Sequence, residues 1–443
     1  MSNVSQASTS ARDRRKVLRE KLRDLAAPLA IYPLDIKLSQ ETPVRELRRG
    51  SRGFVPDKVA MISLLDVDGV LRWVPGPGVS QAVGRRRAGI PAVRGEVIEQ
   101  FKFERLEPSQ VSAFLAGLDD KINTSRPRLR RWDGTSLVDL PGEKPPEEGK
   151  VLVFVHGFIS SCQHLIEEFQ STTSGQDFLQ RALRHYTAVL TFDHPTISVS
   201  PILNAVDLHQ RFKDSKAEVH VVCHSRGGLV TRWWLEGFGV NGSRAPRAVF
   251  VGSPLAGTGL AAPPRLRSAL ELLTNIGDFF ESATGLAAMA MPFLSVAAGL
   301  MKVLTSLTSV AAHTPLVDGV VAMIPGIAGM SRVGNSPELL RMREHQYAAP
   351  PDYAAVKANF EPTAPGWAFW RYFRKSQLGH LAAGFVFEGE NDLIVDSPSM
   401  ADLSDQKNIR VLEDFGTSDT VYHTNYFRQS RTLAFLQRQL RIP

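Results

Sequence analysis

A series of continuous apolar runs in the second part of the chain constrains its fold most. VLVFVHG begins the series at residue 151, and TAVLTF, EVHVVC and PRAVFVGS follow, each after a segment with helical periodicity. A strand that is apolar on both faces must be buried on both faces, as the strands of a parallel sheet are. Such strands in alternation with helices predict an α/β protein with a doubly wound, mostly parallel sheet.

The residues before this series predict a different and smaller unit. In KVAMISLLDVDGVLRWV the pair Asp68-Gly69 lies between two apolar runs, which indicates a hairpin. Asp133-Gly134 predicts a second hairpin further on. We therefore predict four parts, which are a basic tail with a short helix at 1–57, a β-rich module of unknown role at 58–140, a linker at 141–150 and the α/β domain at 151–443.

Residues 259–350 interrupt the alternation with an apolar sequence that is rich in small residues. Residues 282–301 carry no charge and are numerous enough, as a helix, to cross a bilayer. Because many of them are alanine and Pro292 lies among them, we expect the buried helices of a cap rather than a membrane span. A lid that contacts lipid is the alternative. Strands near LAAGFVFEG and NIRVLEDF and a last helix, YFRQSRTLAFLQRQL, are expected to complete the domain.

Charge and cysteine content exclude several classes of function. The net charge of +7 lies within residues 1–150, where 27 Lys and Arg residues outnumber 20 Asp and Glu residues. We interpret the excess as a solvated basic face, and an anionic partner is the minority interpretation. Runs such as Arg85-Arg86-Arg87 lack interleaved aromatics, so nucleic-acid binding is not expected. The two cysteines imply no disulfide framework or metal cluster. Because the N-terminus has no apolar signal segment, we expect a cytoplasmic protein.

A serine with the features of a nucleophile lies between a predicted strand and a helix. Ser225 stands in VVCHSRGGLV, where Gly227 and Gly228 permit a sharp turn that lifts the hydroxyl out of the sheet. The usual glycine two positions earlier is replaced by Cys223, which is also small. The alternative is a serine that only caps the following helix.

An acid and a base follow the later predicted strands. Asp392, in FEGENDLIVD, is the favoured acid, with Asp396 as its rival and Asp193 as a more distant one. His423, in TVYHTNYF, comes just before the last helix. A carboxylate that accepts a hydrogen bond from the base would fix its tautomer, and the base could then deprotonate the serine.

Residues 150–443 resemble α/β-hydrolases of the lipase and esterase kind. The matching motifs are VFVHGF, CHSRGG, VGSPLAGT, ENDLIV and the late histidine, in that order. The resemblance implies an ester hydrolase without a metal or cofactor. Ser225 would be the nucleophile, Asp392 and His423 its acid and base, and the backbone N–H groups of Phe158 and Arg226 the oxyanion donors. No resemblance extends to residues 1–140.

We therefore expect a hydrolase that cleaves carboxylic esters or lipids with an apolar acyl group. The Leu, Met and Phe residues of the predicted cap could line such an acyl site and contact a membrane surface peripherally. A thioesterase or acyltransferase would use the same triad, because fold and triad do not select the acceptor. A hydrolase-fold regulatory or binding module is the third hypothesis. The oligomeric state is not predicted.

Overall fold

The computed structural model describes residues 11–34, 58–76, 95–140, 142, 144–240, 246–283, 287–307, 320–344, 352–373, 386–404 and 407–443. The chain forms two compact units, each assembled from segments that are distant in sequence. The first comprises residues 1–111, 267–320 and 368–370, and the second comprises 112–266, 321–367 and 371–443. This division differs from the predicted boundaries at residues 140 and 150. The Arg85-Arg86-Arg87 run lies outside the described residues.

The first unit contains a four-stranded antiparallel sheet in the order β1-β4-β2-β3. Its strands are β1 (Tyr32–Pro33), β2 (Val59–Val67), β3 (Val70–Pro75) and β4 (Glu96–Glu104). Strands β2 and β3 form the predicted hairpin. Its two turn residues, Asp68 and Gly69, have φ values of 54° and 85°. Positive φ at both positions is what a two-residue type I′ turn requires, which explains the Asp-Gly pair.

Three helices of the described residues pack in this unit, and they are Ala11–Ala26, Leu266–Ala283 and Ala287–Leu307. The indole N–H of Trp73 on β3 donates to Thr274 Oγ1 at 2.8 Å. The buried Asn275 side chain accepts from the Leu71 amide at 3.0 Å and donates to the Leu71 carbonyl at 2.9 Å. The insertion, residues 259–350, is therefore helical and apolar in its described residues, as predicted. Its two long helices pack with the N-terminal sheet.

The long apolar helix is mostly inside the protein. Within the described residues, Ala290–Leu307 is the helix segment that is long and apolar enough to cross a membrane, with a mean hydropathy of 1.5. However, 72% of this segment is buried. Lys302, near its end, donates to the backbone carbonyl of Leu29 at 2.9 Å. Residues 284–286 of the uncharged stretch lie outside the described residues.

The second unit contains an eight-stranded sheet in the order β14-β11-β10-β9-β7-β8-β5-β6. Neighbouring strands run parallel from β14 to β8, whereas β5 is antiparallel to both β8 and β6. The predicted doubly wound, mostly parallel sheet is thus confirmed. Its strands, with the separate ribbon β12-β13, are β5 (Arg128–Trp132), β6 (Leu137–Asp139), β7 (Lys150–Val155), β8 (Ala188–Asp193), β9 (Glu218–His224), β10 (Arg247–Val251), β11 (Asp352–Phe360), β12 (Asp402–Ser404), β13 (Lys407–Asn408) and β14 (Val411–Ser418).

Both faces of this sheet are covered. Leu152 and Phe154 of β7 belong to one hydrophobic cluster, and Val151 and Val153 belong to the other. Because successive side chains of a strand point to opposite faces, a continuous apolar run supplies both clusters. The helices of this unit are Pro108–Ile122 (whose first turn belongs to the other unit), Cys162–Gln170, Thr173–His185, Pro201–Phe212, Gly227–Arg232, Pro325–Ala328, Pro337–Glu344 and Ser430–Leu440.

Two predicted elements lie elsewhere in the fold. The Asp133-Gly134 hairpin was expected in the β-rich module, but its strands β5 and β6 extend the large sheet, where Arg128 pairs with Asp193. Residues 141–150 therefore connect two strands of one sheet instead of two domains. The strand that precedes the acid is β11, and it was not predicted. In LAAGFVFEG the described residues, 386–389, form no regular strand.

Candidate active site

Ser225 lies at the turn that follows strand β9. Its φ is 52°, which is the left-handed region, and its amide donates to the carbonyl of Val251 on β10 at 2.9 Å. A side chain with a Cβ in this conformation costs about 1 kcal/mol, so the surrounding structure must impose the turn. Within the described residues, no hydrogen bond joins the Ser225 hydroxyl to the first amides of the helix Gly227–Arg232, so this side chain does not cap the helix.

Glycines permit the close packing around this serine. A Cβ on Gly227 would lie 2.4 Å from the carbonyl oxygen of Val155, and a Cβ on Gly157 would lie 2.7 Å from the Ser225 Cβ. Neither distance is compatible with a side chain. Cys223, which takes the position of the usual glycine, is fully buried, and its thiol contacts the Val249 carbonyl at 3.5 Å. A small apolar side chain is therefore accommodated in the core beneath the turn.

The loop after β7 brings a second backbone segment to the serine. Gly157 approaches Ser225 directly, and Ile159, two residues on, has a φ of 55°. Among the described residues, neither the Phe158 amide nor the Arg226 amide has a hydrogen-bond acceptor. Unpaired backbone N–H groups on segments that adjoin a nucleophile are what an oxyanion hole requires.

Asp392 and His423 form a buried hydrogen-bonded pair. His423 Nδ1 lies 2.8 Å from Asp392 Oδ2, and the His423 amide donates to the Asp392 carbonyl at 2.9 Å. The other carboxylate oxygen, Oδ1, accepts from the amides of Ile394 and Val395 at 3.2 and 2.8 Å. With Nδ1 facing the carboxylate, Nε2 of His423 is the nitrogen left to accept a proton.

Two contacts connect this pair to the serine turn. The His224 side chain, next to Ser225 in sequence, donates from Nε2 to the His423 carbonyl at 2.8 Å, and the two rings are 4.7 Å apart. Val251 accepts from the Ser225 amide, and a Cβ built on the next residue, Gly252, would lie 3.3 Å from His423 Nδ1. The structure therefore brings the predicted nucleophile, acid and base to the same end of the sheet.

The rival carboxylates bind other partners. Asp396 accepts from the Gly259 amide at 2.8 Å and from Arg332 Nη2 at 2.9 Å. Asp193 accepts from Arg130 Nε at 2.9 Å and from the Cys162 amide at 2.8 Å. Neither carboxylate contacts His423 in the part of the chain that the structure describes.

One buried cluster has the residue types of a metal site. Ligand atoms of His156, Cys162 and Asp193 all lie within 4.8 Å of one another. However, the Arg130 guanidinium already neutralises the carboxylate, and burial raises the pKa of the Cys162 thiol well above its usual value. Burial also lowers the pKa of His156 to about 4, and its Nε2 accepts from the His194 amide at 3.2 Å. These engaged groups form a hydrogen-bond network beneath the loop 156–159 and do not suit a cation.

No role was predicted for three residues of the site, although two of them lie within the matched motifs CHSRGG and VGSPLAGT. They are His224, Gly252 and Tyr426, whose hydroxyl donates to Asp392 Oδ2 at 3.0 Å. Each has the pattern of an ordinary core residue, because its role depends on contacts between residues far apart in the chain. The available signals were the position of His224 next to Ser225 and that of Tyr426 three residues after His423.

The strand order, the strained serine turn and the buried Asp-His pair define an α/β-hydrolase fold. A family model described as a domain of unknown function (DUF7379) matches residues 121–441. The match covers more than half of the chain, and the protein therefore belongs to this family. Its first residue, 121, agrees with the inclusion of strands β5 and β6 in the large sheet. No curated protein sequence matches the chain.

Several solved structures are similar at low identity. The mature lipase BlEst2 of Bacillus licheniformis is 15% identical, with 68% of this chain and 96% of that chain covered and a TM-score of 0.30. Lipase 1 of Pelosinus fermentans is 13% identical, with coverages of 64% and 98% and a TM-score of 0.37. A bromoperoxidase of Bacillus anthracis is 12% identical, with coverages of 66% and 92% and a TM-score of 0.37. The fold class rests on the strand order and turn geometry of this chain.

Proposed function

We propose that this protein is a serine hydrolase that cleaves carboxylic esters through an acyl-enzyme on Ser225. One observation carries the proposal. A serine in a strained turn lies beside a buried Asp-His pair, with Nδ1 and Oδ2 2.8 Å apart. A buried carboxylate directed at an imidazole has a specific use when that imidazole must accept a proton and carry positive charge.

The reaction proceeds in two halves. His423 Nε2 accepts the Ser225 proton while Oγ forms a bond to the acyl carbon, and the negative oxygen is held by the Phe158 and Arg226 amides. The intermediate expels the alcohol, which takes the proton back from His423. A water molecule, deprotonated by the same histidine, then attacks the acyl-enzyme and releases the acid and free Ser225. Asp392 stabilises the imidazolium in both halves.

The acyl group is proposed to be apolar. The support is the composition of residues 259–350, which are apolar and contain several Leu, Met and Phe residues. Peripheral contact with membranes and a cytoplasmic location are further proposals. Sedimentation of the purified protein with anionic and neutral vesicles tests the contact, and recovery in the vesicle-free fraction would contradict it.

Activity and labelling test the proposal together. The wild-type protein should hydrolyse p-nitrophenyl acyl esters and react with a fluorophosphonate probe, and Ser225→Ala should abolish both. Ser336→Ala is the matched control, because Ser336 Oγ accepts from the Leu339 amide at 3.3 Å at the start of a helix and has a structural role. Full activity in Ser225→Ala would refute the assignment. Comparison of acyl-CoA with oxygen esters of the same chain length separates a thioesterase from an esterase.

A further inference from the structure

The carboxylate of Asp392 has an unusual number of donors for a buried group. The amides of Ile394 and Val395 satisfy Oδ1, at 3.2 and 2.8 Å. Oδ2 is shared by two side chains, His423 Nδ1 at 2.8 Å and the Tyr426 hydroxyl at 3.0 Å. Asp392 and Tyr426 are both fully buried. The phenol therefore binds the same oxygen that orients the proposed base.

The Tyr426 hydroxyl is a permanent donor. Burial, together with the nearby Asp392 charge, raises the pKa of Tyr426 well above its ordinary value. The phenol consequently stays protonated throughout the pH range in which an ester hydrolase works. A hydrogen bond to an ionised acceptor is stronger than a neutral one, so this contact restrains rotation of the carboxylate.

The surroundings hold the ring in place. The Asn425 side chain accepts from the Tyr422 amide and donates to the Thr420 carbonyl, at 2.9 and 2.8 Å, which ties the loop that carries both His423 and Tyr426. On the other side, Gly252 leaves the space for the ring, because a Cβ there would lie 2.8 Å from Tyr426 Cε2. The ring position is thus determined by the fold and does not depend on the hydroxyl alone.

We propose that Tyr426 is a positioning residue for the Asp392–His423 pair. It fixes the rotation of the carboxylate, so that Oδ2 stays directed at His423 Nδ1. The proposal rests on the proposed function, since it assigns Tyr426 a role in that same triad.

The test uses Tyr426→Phe, which keeps the ring and removes only the hydroxyl. We expect kcat for p-nitrophenyl esters to fall about tenfold, the loss typical of one hydrogen bond to a charged group, with KM within about twofold. Tyr353→Phe is the matched control, because it removes a phenol that donates to a different carboxylate, Glu236 Oε1 at 2.8 Å, and it should leave both quantities unchanged.

The outcomes separate this proposal from the proposed function. Wild-type kcat in Tyr426→Phe would overturn the positioning role, as would an equal loss of kcat in Tyr353→Phe. If the wild-type protein neither hydrolyses esters nor reacts with the fluorophosphonate, the proposed function fails. The downfield proton resonance of His423 Nδ1–H then decides the positioning role alone. It should shift in Tyr426→Phe and not in Tyr353→Phe, and an unchanged resonance in Tyr426→Phe would refute the inference.

Discussion

Substitution of Gly252 by alanine should damage the active site through a single methyl group. Gly252 follows strand β10 and has a φ of 55°. A Cβ at this position would lie 2.8 Å from Tyr426 Cε2, 3.1 Å from Asp392 Oδ2 and 3.3 Å from His423 Nδ1. The added methyl would therefore press on the acid, the base and the tyrosine at once.

The expected cost has two parts. A left-handed alanine costs about 1 kcal/mol in backbone strain, and overpacking a dense site adds about 1–3 kcal/mol. Because carbon atoms prefer to be about 3.5–4.0 Å apart, the ring must move by roughly 0.8 Å. A displacement of this size at reacting groups lowers kcat by about tenfold to a hundredfold. We expect a stability loss of about 3 kcal/mol with a disproportionate loss of kcat.

Gly416→Ala is the matched control for this substitution. Gly416 has a φ of 60°, but nothing lies within 4 Å of a Cβ built on it. This variant should pay the backbone strain alone, about 1 kcal/mol by urea denaturation, and keep wild-type ester hydrolysis. If the two alanine variants have the same kcat, the packing of Gly252 against the pair has no catalytic consequence and the reasoning is wrong.

Three further predictions concern neighbouring residues. Cys223→Gly should keep hydrolysis within about threefold, whereas Cys223→Leu should lower activity and cost about 1–3 kcal/mol in thermal unfolding, because the core there has no room. Equal activity of the two variants would contradict this. Asp392→Asn should lower kcat by about 10⁴-fold and Asp396→Asn hardly at all, and the reverse order would exchange the two assignments. Burial, with His423 nearby, lowers the pKa of His224 to about 3. Since the unfolded chain then binds more protons below about pH 6.5, His224 lowers stability progressively as the pH falls towards 3. His224→Gln can still donate to His423. Between pH 7 and pH 5, its free energy of unfolding in urea should therefore fall by about 2 kcal/mol less than that of the wild type, and equal decreases would refute this.

Local patterns in the sequence were sufficient for the centre of the second unit. The continuous apolar runs of β7, β9 and β10 are a direct consequence of burial on both faces, so the parallel sheet could be predicted. Ser225 follows β9 and His423 follows β14, and the carboxyl ends of such strands meet at one edge of the sheet. The place of Asp392 was predicted from a strand that does not form. It lies at the same edge because the Asn391 carbonyl accepts from the Phe360 amide, at the end of β11, at 2.7 Å.

Long-range pairing could not be read from the sequence. Strand β5, with the sequence RLRRW, has the pattern of a local hairpin strand, and only its contact with β8 reveals which sheet contains it. Strand β11 includes Lys357 and Asn359, so it lacks the continuous apolar run of the other central strands. Tyr426 is similar. Its hydroxyl has significance because Asp392, 34 residues earlier, lies against it, and no local pattern records that contact.

The interleaving of the two units has a consequence for synthesis of the chain. The N-terminal sheet leaves the ribosome first, but the helices that complete it lie in residues 267–320. Until those residues emerge, the sheet has apolar surface without its final partners, and strands of the large sheet are made in the interval. No single cleavage of the chain would release either unit intact. Residues 267–320 of the first unit follow the first segment of the second unit, and residues 321–367 of the second unit follow them in turn. Truncation from either end should therefore yield aggregation-prone fragments instead of a separable domain.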